Sequence, residues 1–376
     1  MNGSATMEGR DAVGRPERTA DEGRLAGLRV GIAAVSLSRG GAERAAAHWA
    51  AAADDHGAEV RFFAVESSDQ PYALPERVSL TVAGKAGLRD TAHVVRALRR
   101  FAASCDVIAA FQPYLGLLCV LARVRCPWLI VAGQDPRRWR DTSRMPALGY
   151  RLAFRRAAAA AAPSRGLIEC HRAAGLQPRG GWDHIPNVVA EAAFRVDGAH
   201  RAGALFVGRL VTEKRPLLAL RAAAAAGMPI TFLGDGPLRA TLVEEAARLG
   251  VSDQVRLVAF RRDPWPFYAQ HRVLVLTSRY ETFGNVILES LAAGTPVVSV
   301  DCEFGPREIL AHARYSGLVD DTVDAVSAGL TTVDRRERSG AEAAECHAIA
   351  ARYRRDVVGP AIADALGRVV RPGAAR

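Results

Sequence analysis

Two glutamates with seven residues between them lie where an apolar strand gives way to a helix. Glu281 falls in the predicted loop, and Glu289 falls just over one turn inside the predicted helix. The backbone amides of Phe283, Gly284 and Asn285 would start that helix as unpaired donors for a sugar or phosphate oxygen. The two carboxylates could then hold opposite ends of an extended nucleotide-sugar. In the alternative interpretation, Glu281 complements the helix dipole and Glu289 is an ordinary surface residue.

Two cations follow another predicted strand. Gly208 and Arg209 come directly after the apolar run Ala204–Val207, and Lys214 precedes a helix predicted to start near Pro216. Two cations across one loop can hold a diphosphate, because a charge-assisted hydrogen bond contributes roughly 1.5–3 kcal/mol. A helix dipole contributes only roughly 0.3–1 kcal/mol. The alternative is an Arg and a Lys that are simply solvated.

Glycines follow two further strands. Gly40 and Gly41 come after the first strand of the chain, and Gly234 begins the segment Gly234-Asp-Gly-Pro237. Paired glycines let backbone amides approach a ligand closely, although they equally suit an ordinary tight turn. The spacing is not the G-x-G-x-x-G of dinucleotide enzymes, which disfavours an oxidoreductase.

These loops require a particular set of strands to position them. The chain has 376 residues, which is more than one core usually organises, so two domains are expected. Nearly continuous apolar runs alternate with stretches of helical period, which is typical of parallel sheets covered on both faces. The predicted strands are Leu28–Val35, Val60–Val65, Val107–Phe111, Trp128–Val131, Ala204–Val207, Ile230–Leu233, Val255–Val258, Val273–Leu276 and Pro296–Val300.

The predicted fold class is therefore α/β, with two doubly wound Rossmann-like domains that face each other across a cleft. Ligands bind such sheets at the carboxyl ends of the strands. The predicted divisions are a flexible N-terminal tail over 1–27, a first domain over 28–187, a second domain over 188–347 and a helix over 348–376 that crosses back to the first domain.

The composition excludes several other classes of protein. The net charge is +10, but the basic residues are almost all arginines spread along the sequence, so no nucleic-acid partner is expected. Attraction to an anionic substrate or a membrane surface is favoured. No apolar stretch reaches the length of a membrane span, and the N-terminus does not resemble a secretory signal. The expected location is the cytoplasm, with its membrane face as an alternative.

Several motifs in order resemble the retaining glycosyltransferases of family 4, also called glycosyl transferases group 1, which have the GT-B fold. Besides the two glutamates, the segment Cys302–Leu310 resembles the branch that uses UDP-hexoses or UDP-N-acetylhexosamines. The resemblance spans roughly 28–330. The other matching motifs are Gly40-Gly-Ala-Glu43, Ile185-Pro-Asn187, Phe206-Val-Gly-Arg-Leu210 with Lys214, Gly234-Asp-Gly-Pro237 and Ala293-Gly-Thr-Pro296.

The resemblance implies that the first domain, over 28–187, is the acceptor-binding domain and that the second, over 188–347, is the nucleotide-sugar-binding domain. It also implies roles for single residues. Arg209 and Lys214 would bind the donor diphosphate and Glu281 the transferred sugar, and these three are the predicted catalytic residues. Glu289 would bind the ribose, and Arg261 would lie beside the base. Members of the family need no metal ion and no cofactor besides the sugar donor. The implied donor-binding set is Gly40, Gly41, Gly208, Arg209, Lys214, Gly234, Arg261, Glu281, Phe283, Gly284, Asn285 and Glu289.

The acceptor-side loops of the first domain depart from the family pattern. Many relatives carry a His or an acidic residue there, whereas this chain has Gln112 in one loop and Gln134 and Asp135 in another. These three are the candidate acceptor contacts, and a purely structural role is the alternative for each. The Asp301-Cys-Glu303 triplet is interpreted as strand-end polarity and not as a metal site.

The sequence thus predicts a retaining transfer of a hexosyl or N-acetylhexosaminyl group from a UDP-sugar to a hydroxyl group. The acceptor stays open between a glycan or lipid-linked sugar at a membrane and a small natural product such as an aminocyclitol. Two other functions also stay open: a non-catalytic subunit that binds sugar nucleotides, and a nucleotide-sugar epimerase.

Overall fold

The computed structural model describes residues 23–38, 40–67, 72–84, 90–139, 144–196, 201–337 and 339–370. Two parallel sheets organise these residues, one in each half of the chain. The prediction of two doubly wound α/β domains is confirmed.

The first domain contains a seven-stranded parallel sheet in the order β3-β2-β1-β4-β5-β6-β7. Its strands are β1 (Arg29–Ala34), β2 (Glu59–Ala64), β3 (Ser79–Val82), β4 (Val107–Phe111), β5 (Trp128–Val131), β6 (Ala159–Ala162) and β7 (Trp182–His184). Its helices are α1 (Gly41–Asp55), α2 (Thr91–Ala102), α3 (Gln112–Leu121), α4 (Arg144–Arg156) and α5 (Arg165–Ala173).

The second domain contains a six-stranded parallel sheet in the order β10-β9-β8-β11-β13-β15, beside a two-stranded pair of β12 and β14. Its strands are β8 (Ala204–Val207), β9 (Ile230–Leu233), β10 (Val255–Val258), β11 (Val273–Leu276), β12 (Tyr280–Glu281), β13 (Val297–Val300), β14 (Glu303–Phe304) and β15 (Gly317–Val319). The helices that follow are α6 (Pro216–Ala225), α7 (Arg239–Arg248), α8 (Trp265–Gln270), α9 (Asn285–Ala292), α10 (Gly305–Leu310), α11 (Val323–Arg335), α12 (Gly340–Ala351) and α13 (Arg355–Val370).

All nine predicted strands form, with ends that differ by at most one residue from the predicted ones. Several further strands were not predicted, among them β6. Its four residues are all alanines, a residue that favours helices, yet they pair with β5 and β7 in a fully buried position. Tertiary packing overrides local preference here.

The chain returns to the first domain through α13. This helix packs on α1, and its residues Ile362 and Leu366 share one apolar core with Trp49 of α1 and with Leu25. Helix α12 packs on α9 in the second domain, so the return follows Ala351 and not the predicted position 348. Of the predicted tail, residues 1–22 lie outside the described residues, and none of the described helices is long and apolar enough to span a membrane.

Candidate active site

The two domains enclose a cavity of about 660 Å³ where the carboxyl ends of their strands face each other. The first domain lines it with residues that follow β1, β4 and β5, and the second domain with residues that follow β8 and β11. Eleven of the predicted site residues line this cavity: Gly40, Gly41, Gln112, Gln134, Gly208, Arg209, Lys214, Glu281, Phe283, Gly284 and Asn285.

Lys214 and Glu281 contact each other at the side of the cavity that belongs to the second domain. The Lys214 Nζ atom donates to Glu281 Oε1 at 2.5 Å, and the Ser278 hydroxyl donates to the same oxygen at 2.8 Å. Both charged side chains are largely buried, with 25% and 13% of their surface exposed. The pair therefore offers one ammonium and one carboxylate to the same ligand.

Arg209 is exposed on the cavity rim, and its guanidinium makes no hydrogen bond with another described residue. Its position depends on close packing between two loops. A Cβ on Gly234 would lie 2.0 Å from the carbonyl oxygen of Gly208, so only glycine fits at Gly234. Gly234 thus supports the loop that carries Arg209 from behind and does not itself line the cavity.

Helix α9 directs its N-terminus into the cavity. Gly284 precedes the helix with φ of +100°, a left-handed conformation that glycine adopts without strain. The Asn285 side chain accepts a hydrogen bond of 2.9 Å from Asn187, and its amide nitrogen lies close to Gly41 of the first domain. The unpaired amides at this end of α9 are suited to bind an anion or a sugar oxygen.

Glu289 lies on α9 but behind the cavity wall. It is 4% exposed, forms an ion pair with Arg44 of α1, and accepts a 2.6 Å hydrogen bond from the Tyr268 hydroxyl. Burial and the Glu289 charge raise the pKa of Tyr268 well above its usual value, so this phenol stays protonated. Arg44 itself lines the cavity and contacts the second domain through Glu289, a role that was not predicted from the sequence.

Gln112 lies on the opposite side of the cavity, at the start of α3. Its φ is +75°, which is uncommon for a residue with a side chain, and its buried Oε1 atom has no hydrogen-bond partner among the described residues. Strained residues of this kind gather at functional sites. The strain could not be seen in the sequence.

Asp135 is placed differently from the other candidate acceptor contacts. It is 6% exposed and does not line the cavity, whereas its neighbour Gln134 does. Although burial acts to raise it, the hydrogen bonds from Arg137 lower the pKa of Asp135 below its usual value. Arg137 also pairs with Glu303, so Asp135 anchors a contact between the domains.

One further donor-site prediction falls away from the cavity. Arg261 follows β10 in an exposed loop and is not among the lining residues. With Gly234, Glu289 and Asp135, it is one of four predicted site residues that do not line the cavity in this conformation.

Two facing Rossmann-like domains with a polar cavity between their strand ends define the GT-B class of protein. The chain superimposes on HepE of Anabaena, whose crystal structure contains UDP and glucose, with a TM-score of 0.77. The identity is 19%, and the match covers 90% of this chain and 99% of HepE.

The chain belongs to the group 1 glycosyltransferases, a family of transferase enzymes. Residues 199–342 match the family of glycosyl transferases group 1, and residues 40–187 match the glycosyl transferase 4-like domain, which together account for more than half of the chain.

Curated relatives match over shorter stretches. The lipopolysaccharide core biosynthesis glycosyltransferase LpsE of Rhizobium meliloti is 42% identical over 120 residues, which are 32% of this chain and 35% of LpsE. The GDP-mannose-dependent alpha-mannosyltransferase of Mycobacterium tuberculosis is 29% identical over 60% of this chain and 62% of its own length. The chain thus spans about a third of LpsE and less than two thirds of the mannosyltransferase.

Proposed function

We propose that this protein transfers a hexosyl or N-acetylhexosaminyl group from a UDP-sugar to a hydroxyl group, with retention of the anomeric configuration. The observation that carries the proposal is the convergence of Arg209, Lys214, Glu281 and the N-terminus of α9 on one cavity between the domains. These groups offer two cations for a diphosphate and a carboxylate with backbone amides for a sugar.

The chemistry follows from where charge develops. As the anomeric C–O bond to the diphosphate breaks, negative charge grows on the phosphate oxygens and positive charge on the sugar ring. In the proposed arrangement, Arg209 and Lys214 stabilise the phosphate charge from their positions on the cavity wall. The Glu281 carboxylate orients the sugar through its hydroxyl groups.

Retention requires no nucleophile from the protein. The acceptor oxygen forms its new bond to the anomeric carbon on the face from which the diphosphate departs. The acceptor proton goes to a phosphate oxygen of the leaving UDP. Gln112 and Gln134, on the opposite side of the cavity, are the proposed contacts to the acceptor.

The relatives differ in the base of the nucleotide that they are named with. HepE binds UDP, whereas the mycobacterial relative is named for its dependence on GDP-mannose. The segment Cys302–Leu310 supports UDP, and we include GDP-sugars in the test for this reason. Glu289 is the proposed ribose contact, and it can take that role only after its ion pair with Arg44 opens.

The test is mass spectrometry of the purified protein with UDP- and GDP-sugars and a pooled panel of hydroxylated acceptors. We expect a glycosylated product from a UDP-sugar, and a loss of roughly 10²–10³-fold in turnover for Lys214→Ala, as for other lost donors to a developing anion. Arg335→Ala, at an exposed position on α11, is the matched control and should turn over like the wild type.

Three outcomes would contradict the proposal. Wild-type turnover in Lys214→Ala would show that the Lys214 ammonium does not stabilise the leaving diphosphate. Conversion of the donor sugar without an acceptor would identify an epimerase. Binding of UDP without any turnover across the panel would identify a non-catalytic subunit.

A further inference from the structure

The positive charge of the chain is concentrated in one part of the first domain. Residues 112–156 contain nine arginines and two aspartates, whereas the excess of basic over acidic residues in the whole chain is ten. The arginines as such are spread along the sequence, but elsewhere they are nearly balanced by carboxylates. The excess over 112–156 is seven (nine minus two), and two of these arginines, Arg137 and Arg138, pair with Glu303 and Glu213 of the second domain. The remaining excess belongs to α3, α4 and the loops around them.

Helix α4 combines this charge with apolar surface. Leu148 is 71% exposed and Leu152 is 42% exposed, and the exposed Arg151 and Arg155 lie on the same side of the helix at intervals of three and four residues. The neighbouring Ala153 is buried against the domain, which fixes the direction in which these four side chains point. We call them the outer stripe of α4.

The outer stripe continues into a basic recess of about 850 Å³ below the ends of α3 and α4. Four exposed arginines line it, and Val124 contributes an apolar wall. In the part of the chain that the structure describes, no carboxylate pairs with any of these guanidinium groups. The four arginines are Arg123, Arg125, Arg156 and Arg179.

The same helix also reaches the candidate active site. Tyr150 of α4 and Tyr114 of α3 line the cavity between the domains, on the side where the acceptor contacts are proposed. A surface that meets the outer stripe would therefore lie beside the acceptor entrance.

We propose that the outer stripe and the basic recess form a docking face for a bilayer that contains anionic lipids. The two leucines would enter the boundary between headgroups and acyl chains, and the arginines would pair with lipid phosphates. The recess is open enough to admit a phosphate headgroup. The proposal rests on the proposed function only in its consequence, which is that the acceptor is lipid-linked.

Charge complementarity favours a membrane over a nucleic acid as the occupant. Protein surfaces that bind single-stranded nucleic acids combine cations with exposed aromatic rings on which bases stack. The outer stripe instead places leucines between arginines. Insertion of leucine side chains into a lipid layer is favourable, whereas a phosphate backbone offers them no apolar surface.

The experiment is sedimentation of the full chain with large vesicles of phosphatidylcholine, prepared with and without phosphatidylglycerol, at low and high salt. We expect binding only to vesicles that contain phosphatidylglycerol, and release at high salt. The double variant Arg151→Gln/Arg155→Gln should weaken binding about fivefold for each arginine removed. Leu148→Ser/Leu152→Ser should weaken binding at low salt roughly tenfold or more.

The controls separate this proposal from the proposed function. Val243→Ser/Arg335→Gln removes an exposed apolar residue and an exposed arginine from the second domain and should bind vesicles like the wild type. Glu281→Gln should also bind normally, because docking needs no catalysis. Leu148→Ser/Leu152→Ser should retain binding of UDP, which shows that it is folded.

Three results would overturn the docking face. One is equal binding to vesicles with and without phosphatidylglycerol. Another is unchanged vesicle binding in both double variants of α4. The third is binding of a mixed-sequence RNA, with no vesicle binding, that these variants abolish.

Discussion

At the scale of single residues, Gln112 shows how a site residue can lower stability for the sake of its position. Its backbone is left-handed, a conformation that costs a residue with a side chain roughly 1–2 kcal/mol relative to glycine. Its amide oxygen is buried beside the cavity, and no residue in the described part of the chain donates a hydrogen bond to it. A ligand that donates a hydrogen bond would satisfy it.

The comparison of Gln112→Gly with Gln112→Ala tests this interpretation, because both variants lack the amide and differ in backbone strain. We expect the free energy of unfolding to be higher for the glycine variant by about 1 kcal/mol, measured by chemical denaturation. Both variants should transfer sugar more slowly than the wild type. Equal stability of the two variants would argue against strain, and full turnover of Gln112→Gly would argue against a contact with the acceptor.

Residue types and spacing predicted the convergence of Lys214 and Glu281 on one site but not the role of Arg44. Lys214 and Glu281 follow strands directly, so their convergence could be predicted from the rule that ligands bind at strand ends. Arg44 lies inside a helix, where nothing in its spacing distinguishes it from other arginines. Its ion pair with Glu289 depends on how the two domains meet, which no local pattern records.

At the scale of elements, the predicted strands formed wherever β-branched residues and leucine dominate. The four alanines of β6 and the two-residue strands β12 and β14 could not be predicted, because their pairing is decided by neighbouring strands. The loops at the strand ends were predicted to contact the ligand. Gly234 instead packs against the loop that carries Arg209 and does not line the cavity.

Gly234→Ala tests that supporting role. The added Cβ would lie 2.0 Å from the Gly208 carbonyl oxygen, so the loop that carries Arg209 must shift. We expect weaker binding of UDP by calorimetry and slower transfer, with secondary structure retained. Gly340→Ala, at the open start of α12, is the matched control because nothing lies within 4 Å of its added Cβ. Unchanged affinity of Gly234→Ala for UDP would show that the position of the Arg209 loop does not depend on Gly234.

At the scale of the whole molecule, several contacts between the domains are polar, beside the apolar packing of Phe304 on Leu167 and Ile168. Arg44 with Glu289, Arg137 with Glu303, and the Ser164 hydroxyl with the Thr282 carbonyl all cross the cleft. Such contacts can open and reform more readily than an apolar interface. Release of Glu289 for a nucleotide is therefore compatible with a folded pair of domains.

The stability of the first domain should fall on acidification. Burial lowers the pKa of His171 from 6.5 to about 4, and the side chain is fully buried between Phe154 and Trp182. Between those two pH values the unfolded chain binds a proton that the folded chain does not, so the free energy of unfolding decreases as the pH falls.

His171→Phe keeps the aromatic packing and removes the proton site. Thermal unfolding followed from pH 7 down to about pH 4 should therefore show a shallower loss of stability than the wild type. His312→Phe changes an exposed histidine and should leave the wild-type slope. Parallel curves for His171→Phe and the wild type would show that another group dominates the acid response.

The packing of α13 on α1 carries a consequence for biosynthesis. The core that Trp49 and Leu25 begin is completed by Ile362 and Leu366, which the ribosome adds only after the entire second domain. The apolar core of the first domain therefore stays incomplete while the second domain is synthesised. The second domain can close its own sheet during that interval, and the first becomes complete afterwards.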